Sequence, residues 1–177
     1  MTYEIDIAGL TRNLPLCPLN DELSIGAFVM FGDVELTKAA AAELIARIPE
    51  HDYIITAESK GIPLAYEMAR QMGSTYLLAR KGAKLYMKEP IAVEVQSITT
   101  VARQTLYIDK ADADKMKGKR IVIVDDVIST GESLRALEAL VERAGGEVVG
   151  KMAVLAEGDA KDRDDIIYLE HLPLFFK

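Results

Sequence analysis

The chain has 177 residues, half of them hydrophobic and 28% charged, with 12 Gly and 6 Pro, which excludes a disordered, collagen-like or disulfide-scaffold protein and fits a single globular domain with one core. A balance of 21 Lys and Arg against 28 Asp and Glu gives a net charge of −7, so the overall field repels phosphate polymers and anionic bilayers, and no nucleic-acid or membrane partner is expected. The lone cysteine, Cys17, cannot form an intramolecular disulfide, which points to a reducing compartment and a cytoplasmic location.

The opening MTYEIDIAGL lacks the basic flank and apolar stretch of a secretory signal, and no run approaches the ~18 apolar residues of a membrane span. Residues 36–49 (LTKAAAAELIARIP) combine Ala-rich helical propensity with a closing proline, which predicts a helix opened near Thr37. Tyr53 to Ala57 is a short apolar, β-branched run that suits a buried strand. A second helix is signalled by Pro63 in its first turn and Gly73 just past its end. Thr75 to Ala79 reads as another buried strand. From Lys119 the pattern sharpens, because Ile121 to Val124 run without a polar break, as in a strand covered on both faces. The helix after it places Leu134, Leu137, Leu140 and Val141 on one face and stops at Gly145 and Gly146. Val148 to Ala156 supplies one more strand. Alternating strands and helices predict an α/β fold with a parallel sheet flanked by helices and ligands beyond the carboxyl ends of the strands.

Lys81 to Asp109 departs from this rhythm. Its pieces VEVQSITT and RQTLYID alternate weakly and suit an antiparallel hairpin, read here as a mobile excursion from the sheet that carries the hydroxyl-rich run Ser97 to Thr100. Apolar pieces near the ends (GAFVMF, IIYL, PLFF) are broken by turn residues. We expect one domain over residues 1–177, with a core at about 34–156 and a small hood from about 1–33 and 157–177. His51 and His171 stand far apart with no cysteine cluster, so a structural zinc site is not expected.

The chemistry concentrates in IVIVDDVISTGES, residues 121–133. A buried strand ends in two carboxylates, Asp125 and Asp126, and a turn of small residues leads directly into a helix. Ser129, Thr130 and Gly131 let the backbone curl so that successive N–H groups, with the Ser129, Thr130 and Ser133 hydroxyls, surround one phosphate above the helix N-terminus. The two acids would repel that phosphate. They suit a hydroxylated or cationic group nearby, and a ribose diol fits; the competing reading is that Asp126 and Ser129 only cap the helix.

This stretch closely resembles the 5-phosphoribosyl-1-pyrophosphate (PRPP) signature of the type I phosphoribosyltransferases. The resemblance implies that Asp125 and Asp126 hold the ribose 2- and 3-hydroxyls as catalytic residues, and that Ser129, Thr130, Gly131, Glu132 and Ser133 bind the 5-phosphate. Glu132 departs from the family pattern, where many relatives have Gly. AESKGIPLA, residues 57–65, resembles the pyrophosphate loop of adenine and related purine phosphoribosyltransferases, in which a non-proline cis peptide would fall between Glu58 and Ser59. ARKGAKLYM, from Ala79, resembles the segment entering the mobile loop of purine-specific members. Together these assign Glu58, Ser59, Lys60, Gly61, Arg80, Lys81 and Lys84 to pyrophosphate.

The resemblance implies a purine-salvage glycosyltransferase of the type I fold that moves the phosphoribosyl group from PRPP to a purine and releases pyrophosphate. It implies Mg²⁺ held mainly through substrate oxygens with no protein metal ligands, and a homodimer. Adenine is favoured by the E-S-K-G loop and the ending DIIYLEHLPLF; xanthine or hypoxanthine is the alternative, because SITTVARQTLYID lacks the glutamate–tyrosine pair usual in adenine enzymes. A non-catalytic PRPP-sensing regulator is the other class, though such proteins usually add a DNA-binding domain.

Overall fold

The computed structural model describes residues 1–96 and 103–177; the run Ser97 to Thr100 lies outside the described residues. Thr2–Ile7 (β1) and Leu10–Pro18 (β2) form an antiparallel hairpin around Ala8 and Gly9, both at positive φ, 51° and 78°. A two-residue hairpin turn demands that backbone, and Ala-Gly announces it far less clearly than Asn-Gly. Leu23–Gly26 (β3) pairs with β2.

The first helix, Val34–Ile45 (α1), begins three residues before the position expected from the alanine run. Asp33 caps it, its carboxylate accepting the Leu36 N–H at 3.1 Å. The same carboxylate accepts from Arg12 Nε at 2.7 Å, tying β2 to α1, and this hydrogen bond holds its pKa below the usual range. Tyr53–Ala57 (β4), Ile62–Met72 (α2) and Tyr76–Ala79 (β5) follow as predicted, with Gly73 left-handed at the α2 C-cap. Ile91–Gln96 (β6) and Arg103–Ile108 (β7) form the antiparallel hairpin. Lys110–Met116 (α3), which was not predicted, is too short for a helical period to show. Arg120–Ile128 (β8), Glu132–Arg143 (α4) and Glu147–Glu157 (β9) complete the predicted alternation. A 3-10 turn at Gly158–Asp162 leads to Ile167–Leu172 (β10) and Phe175–Phe176 (β11).

The parallel sheet flanked by helices is present, five strands in the order β10-β9-β8-β4-β5. It divides the apolar interior into two clusters where one core was expected. Alternate residues of β8 face opposite ways: Val122 and Val124 join α1 and α2 on one side, while Ile121 and Ile123 join α4 and α3 on the other. The C-terminal segment assigned to the hood also divides. Ile167–Leu172 pairs with β9 in the large sheet, and only Phe175–Phe176 joins the N-terminal strands in a second sheet of order β1-β2-β3-β11. The backbone of Ile167–Leu172 completes the open edge of β9, and Pro173, which lacks an N–H, then ends the strand. The β6-β7 stem is likewise less detached than an excursion implies: Leu106 and Ile108 are fully buried in the second cluster.

Candidate functional site

The strand order reverses between β4 and β8: the chain steps outward from β4 to β5 and later returns to the other flank of β4, all in parallel. Crevices at such reversals receive ligands at the strands' carboxyl ends. A cleft of about 380 Å³ lies there. Its floor comes from the ends of β4 (Ala57 to Lys60) and β8 (Asp125 to Val127), with Lys81 on one flank and Glu157, Leu172 and the stretch Ile25 to Val29 on the other. A second cleft of about 100 Å³ is formed by the turn itself, Ser129 to Ser133, with Asp125, Val127, Ile128 and Leu134.

Four buried hydrophobics anchor β8 up to Val124, and Asp125 and Asp126 follow them within the strand, which does not end at the acids as expected but stays paired with β9 through Ile128. The Asp126 N–H donates to Asp125 Oδ1 at 2.8 Å. Asp126 is buried, and its Oδ2 has no hydrogen-bond partner among the described residues. A buried carboxylate oxygen left unpaired is costly and marks a place where a ligand completes the network. Burial, and then the neighbouring Asp126 carboxylate, push the Asp125 pKa well above the aspartate range, while Lys60 acts in the opposite direction. Neither acid caps α4: the cap position belongs to Gly131, at φ 79°, and makes no side-chain capping bond. The capping reading of D-D-x-x-S-T-G is therefore not what the fold uses. Ser129, Thr130 and Ser133 are exposed around the turn that opens α4.

The loop after β4 has a cis peptide between Glu58 and Ser59. Glu58 binds across to the end of β5, accepting the Lys81 N–H at 2.6 Å and Arg80 Nε at 2.9 Å. Those bonds, that from the Lys81 amide first, hold the Glu58 carboxyl below its usual pKa. Arg80 is bonded further, Nη1 to the Tyr86 hydroxyl at 2.6 Å. Arg80 thus neutralises Glu58 and fixes two loops to each other. Gly61 has an ordinary φ of −78°, but a Cβ there would collide with Thr56 Oγ1 and lie 3.1 Å from Asp125 Oδ1.

Of the residues singled out from sequence, Glu58, Ser59, Lys60, Lys81, Asp125, Asp126, Ser129 and Ser133 line the larger cleft, and Thr130, Gly131 and Glu132 line the smaller. Gly61, Arg80 and Lys84 line neither. Sequence reading missed Gln104, Glu157, Leu172 and the stretch Ile25 to Val29. Glu157 carried a usable signal, since it directly follows a predicted strand on the ligand-binding edge; Gln104 is brought in by the hairpin, Leu172 by β10 and Ile25 to Val29 by β3 and the chain after it. Among the described residues no cluster of three or more His, Cys, Asp or Glu could hold a metal ion. No helix among them is long and apolar enough to cross a membrane.

The family model for the phosphoribosyl transferase domain matches residues 30–172. A hypoxanthine/guanine phosphoribosyltransferase of Methanococcus voltae is 35% identical over 73% of this chain and 66% of its own length. An adenine phosphoribosyltransferase of Petrotoga mobilis is 30% identical over 86% of both chains. A xanthine phosphoribosyltransferase of an Exiguobacterium species is 31% identical over 84% of this chain and 79% of its own. In fold, the adenine phosphoribosyltransferase of Thermoanaerobacter pseudethanolicus superposes with a TM-score of 0.74 at 23% identity, covering 89% of this chain and 95% of that one.

Proposed function

Since the chain belongs to the phosphoribosyl transferase domain family, we propose that it transfers the phosphoribosyl group of PRPP to adenine, forming the nucleoside 5'-monophosphate and pyrophosphate in purine salvage. The observation that carries this reading is the order of chemistry along the sheet edge. Lys81 and the Lys60 loop stand over β5 and β4, the carboxylates Asp125 and Asp126 lie near the carboxyl end of β8, and Glu157 and Leu172 end β9 and β10. PRPP and a base laid across this edge bring pyrophosphate to the cations, the ribose diol to the acids, and the base to an apolar wall with one carboxylate.

Breaking the bond between anomeric carbon and pyrophosphate leaves cationic character on the sugar while the bond to the purine nitrogen forms. Lys60, Lys81 and the Ser59 and Lys60 N–H groups stabilise the departing charge, and Asp125 and Asp126 fix the ribose and face the developing cation. The unpartnered Asp126 oxygen and the adjoining Asp125 are hard donors that suit Mg²⁺ completed by substrate oxygens. When bound, that ion spreads the charge of the leaving pyrophosphate.

Glu157 favours adenine, because a carboxylate accepts from the exocyclic amino group and opposes a 6-oxo group. The runner-up, hypoxanthine or xanthine, is supported by Gln104, whose amide in the same cleft can donate to a carbonyl. Half-exposed Val34 and Tyr66 line an apolar groove of about 340 Å³, a surface that supports the homodimer. Turnover measured with PRPP, Mg²⁺ and each of adenine, hypoxanthine, xanthine and guanine tests the reading. Adenine should give the highest kcat/KM; a 6-oxopurine in first place overturns the base assignment, and no turnover with any base overturns the enzyme in favour of a PRPP-sensing protein.

A further inference from the structure

Arg163 follows the 3-10 turn after β9, 32 residues beyond the phosphate turn in sequence, yet lies against it in space. Its Nε and Nη2 donate to the two carboxylate oxygens of Asp165 at 2.8 and 2.7 Å. A bidentate pairing of this kind fixes the plane of the guanidinium. Asp165 also accepts from Lys151 Nζ on β9 at 3.1 Å, and Lys151 pairs in turn with Glu138 on α4. The guanidinium is therefore tied through Asp165 and Lys151 to β9 and to α4, the helix that the turn opens.

Its remaining nitrogen, Nη1, lies 2.7 Å from the point a Cβ on Gly131 would occupy. Arg163 does not line the cleft of the turn, so it approaches Gly131 from the outer side. The adjacent Glu132 places a carboxylate in the first turn of α4. That charge favours the helix dipole but opposes a phosphate bound at the same N-terminus. A guanidinium fixed beside Gly131 brings the opposite sign to the turn.

We propose that Arg163 is a positioning residue for the 5-phosphate of PRPP, bracing Gly131 from outside the cleft and offsetting the charge that Glu132 brings to the turn. The proposal rests on the reading of Ser129 to Ser133 as the phosphate turn. It predicts a selective effect: Arg163→Gln weakens PRPP and ribose 5-phosphate about tenfold and leaves the KM for the base within about twofold, whereas a merely structural residue would lower the melting temperature and disturb both substrates alike.

The test is calorimetric titration of the full-length protein with PRPP and with ribose 5-phosphate, alongside steady-state kinetics with each substrate varied and melting temperatures of all variants. Arg163→Lys should recover part of the PRPP affinity by restoring charge without the planar brace. Glu132→Gln in the Arg163→Gln background should recover part of the rest, and the deficit of Arg163→Gln should shrink as salt is raised. Unchanged PRPP affinity in Arg163→Gln, an equal loss for the base, or a deficit indifferent to Glu132→Gln overturns the proposal while the phosphate turn stands. Failure of the unsubstituted protein to bind either phosphorylated ligand overturns the phosphate-turn reading, and this proposal with it.

Discussion

After β4 the chain reaches its helix through Glu58 to Gly61, and after β8 through Ser129 to Gly131; each turn ends in a glycine at the helix N-cap. The two glycines are required for different reasons. Gly131 sits at φ 79°, a left-handed conformation that side chains resist. Gly61 has φ −78°, open to any residue, and is needed because Thr56 and Asp125 crowd its Cα. One turn is shaped by its own backbone. The other is shaped by the approach of β8 to β4, so its glycine marks the place where the loop after β4 closes on Asp125.

The sharpest test of that contrast lies between the turns. If one substrate spans both, Asp125→Asn and Asp126→Asn should each lower kcat/KM by about a hundredfold or more, with far-UV circular dichroism unchanged; full activity in both variants would separate the turns functionally. Next in size are the glycines themselves. Gly61→Ala should destabilise by roughly 1–3 kcal/mol through overpacking, and adding Thr56→Ala should return part of that loss in denaturant titrations. Gly131→Ala should cost about 1–2 kcal/mol from backbone strain, and adding Arg163→Ala should relieve only the clash of the new Cβ with Nη1 and leave that strain in place. Gly131→Val should weaken PRPP much more than the base in calorimetry. Rescue in the second pair and none in the first would reverse the comparison.

A third test reads the approach of the strands through protonation. With the Asp125 pKa raised in the folded protein, ionising it costs stability as pH climbs above the ordinary aspartate value of 3.8. The protein therefore gives up stability on the way to the raised value and no more beyond it. Asp125→Asn removes that loss, so its melting temperature should match the parent's near pH 3 and exceed it by a margin that grows toward pH 8. Equal margins at both ends would remove the burial argument. The smallest effect concerns the β6-β7 region. Amides of Leu106 to Ile108, in the buried stem, should exchange slowly in the free protein, and those of Gly82 to Glu89 rapidly until PRPP, Mg²⁺ and a base analogue are present together. Ligand-independent protection of Gly82 to Glu89 would make that loop part of the scaffold.

Much of the parallel sheet was legible because its signals are local. The unbroken Ile121 to Val124 run, the Pro63 and Gly73 boundaries of α2 and the Gly145 stop of α4 each act within one turn of chain. Less legible were the Ala8–Gly9 hairpin, whose turn residues are atypical, α3, which is shorter than two helical periods, and the start of α1, where the Asp33 cap sits outside the alanine run. In the site, the hydroxyl-rich turn and the paired acids could be read from 13 contiguous residues. Glu157, Leu172 and Gln104 could not be joined to them, since three separate elements deliver them.

The sequence by itself determined the α/β alternation, the strand that carries Asp125 and Asp126, though it runs on to Ile128, and the glycine-bearing turn that follows, because strand periodicity and a left-handed glycine are properties of neighbouring residues. Tertiary structure alone decided that β10 enters the parallel sheet, that Arg80 is engaged by Glu58 and Tyr86, and that Arg163 rests on Gly131. Those outcomes depend on which surfaces remain uncovered and which charges remain unpaired once the sheet has formed, and no local pattern encodes either.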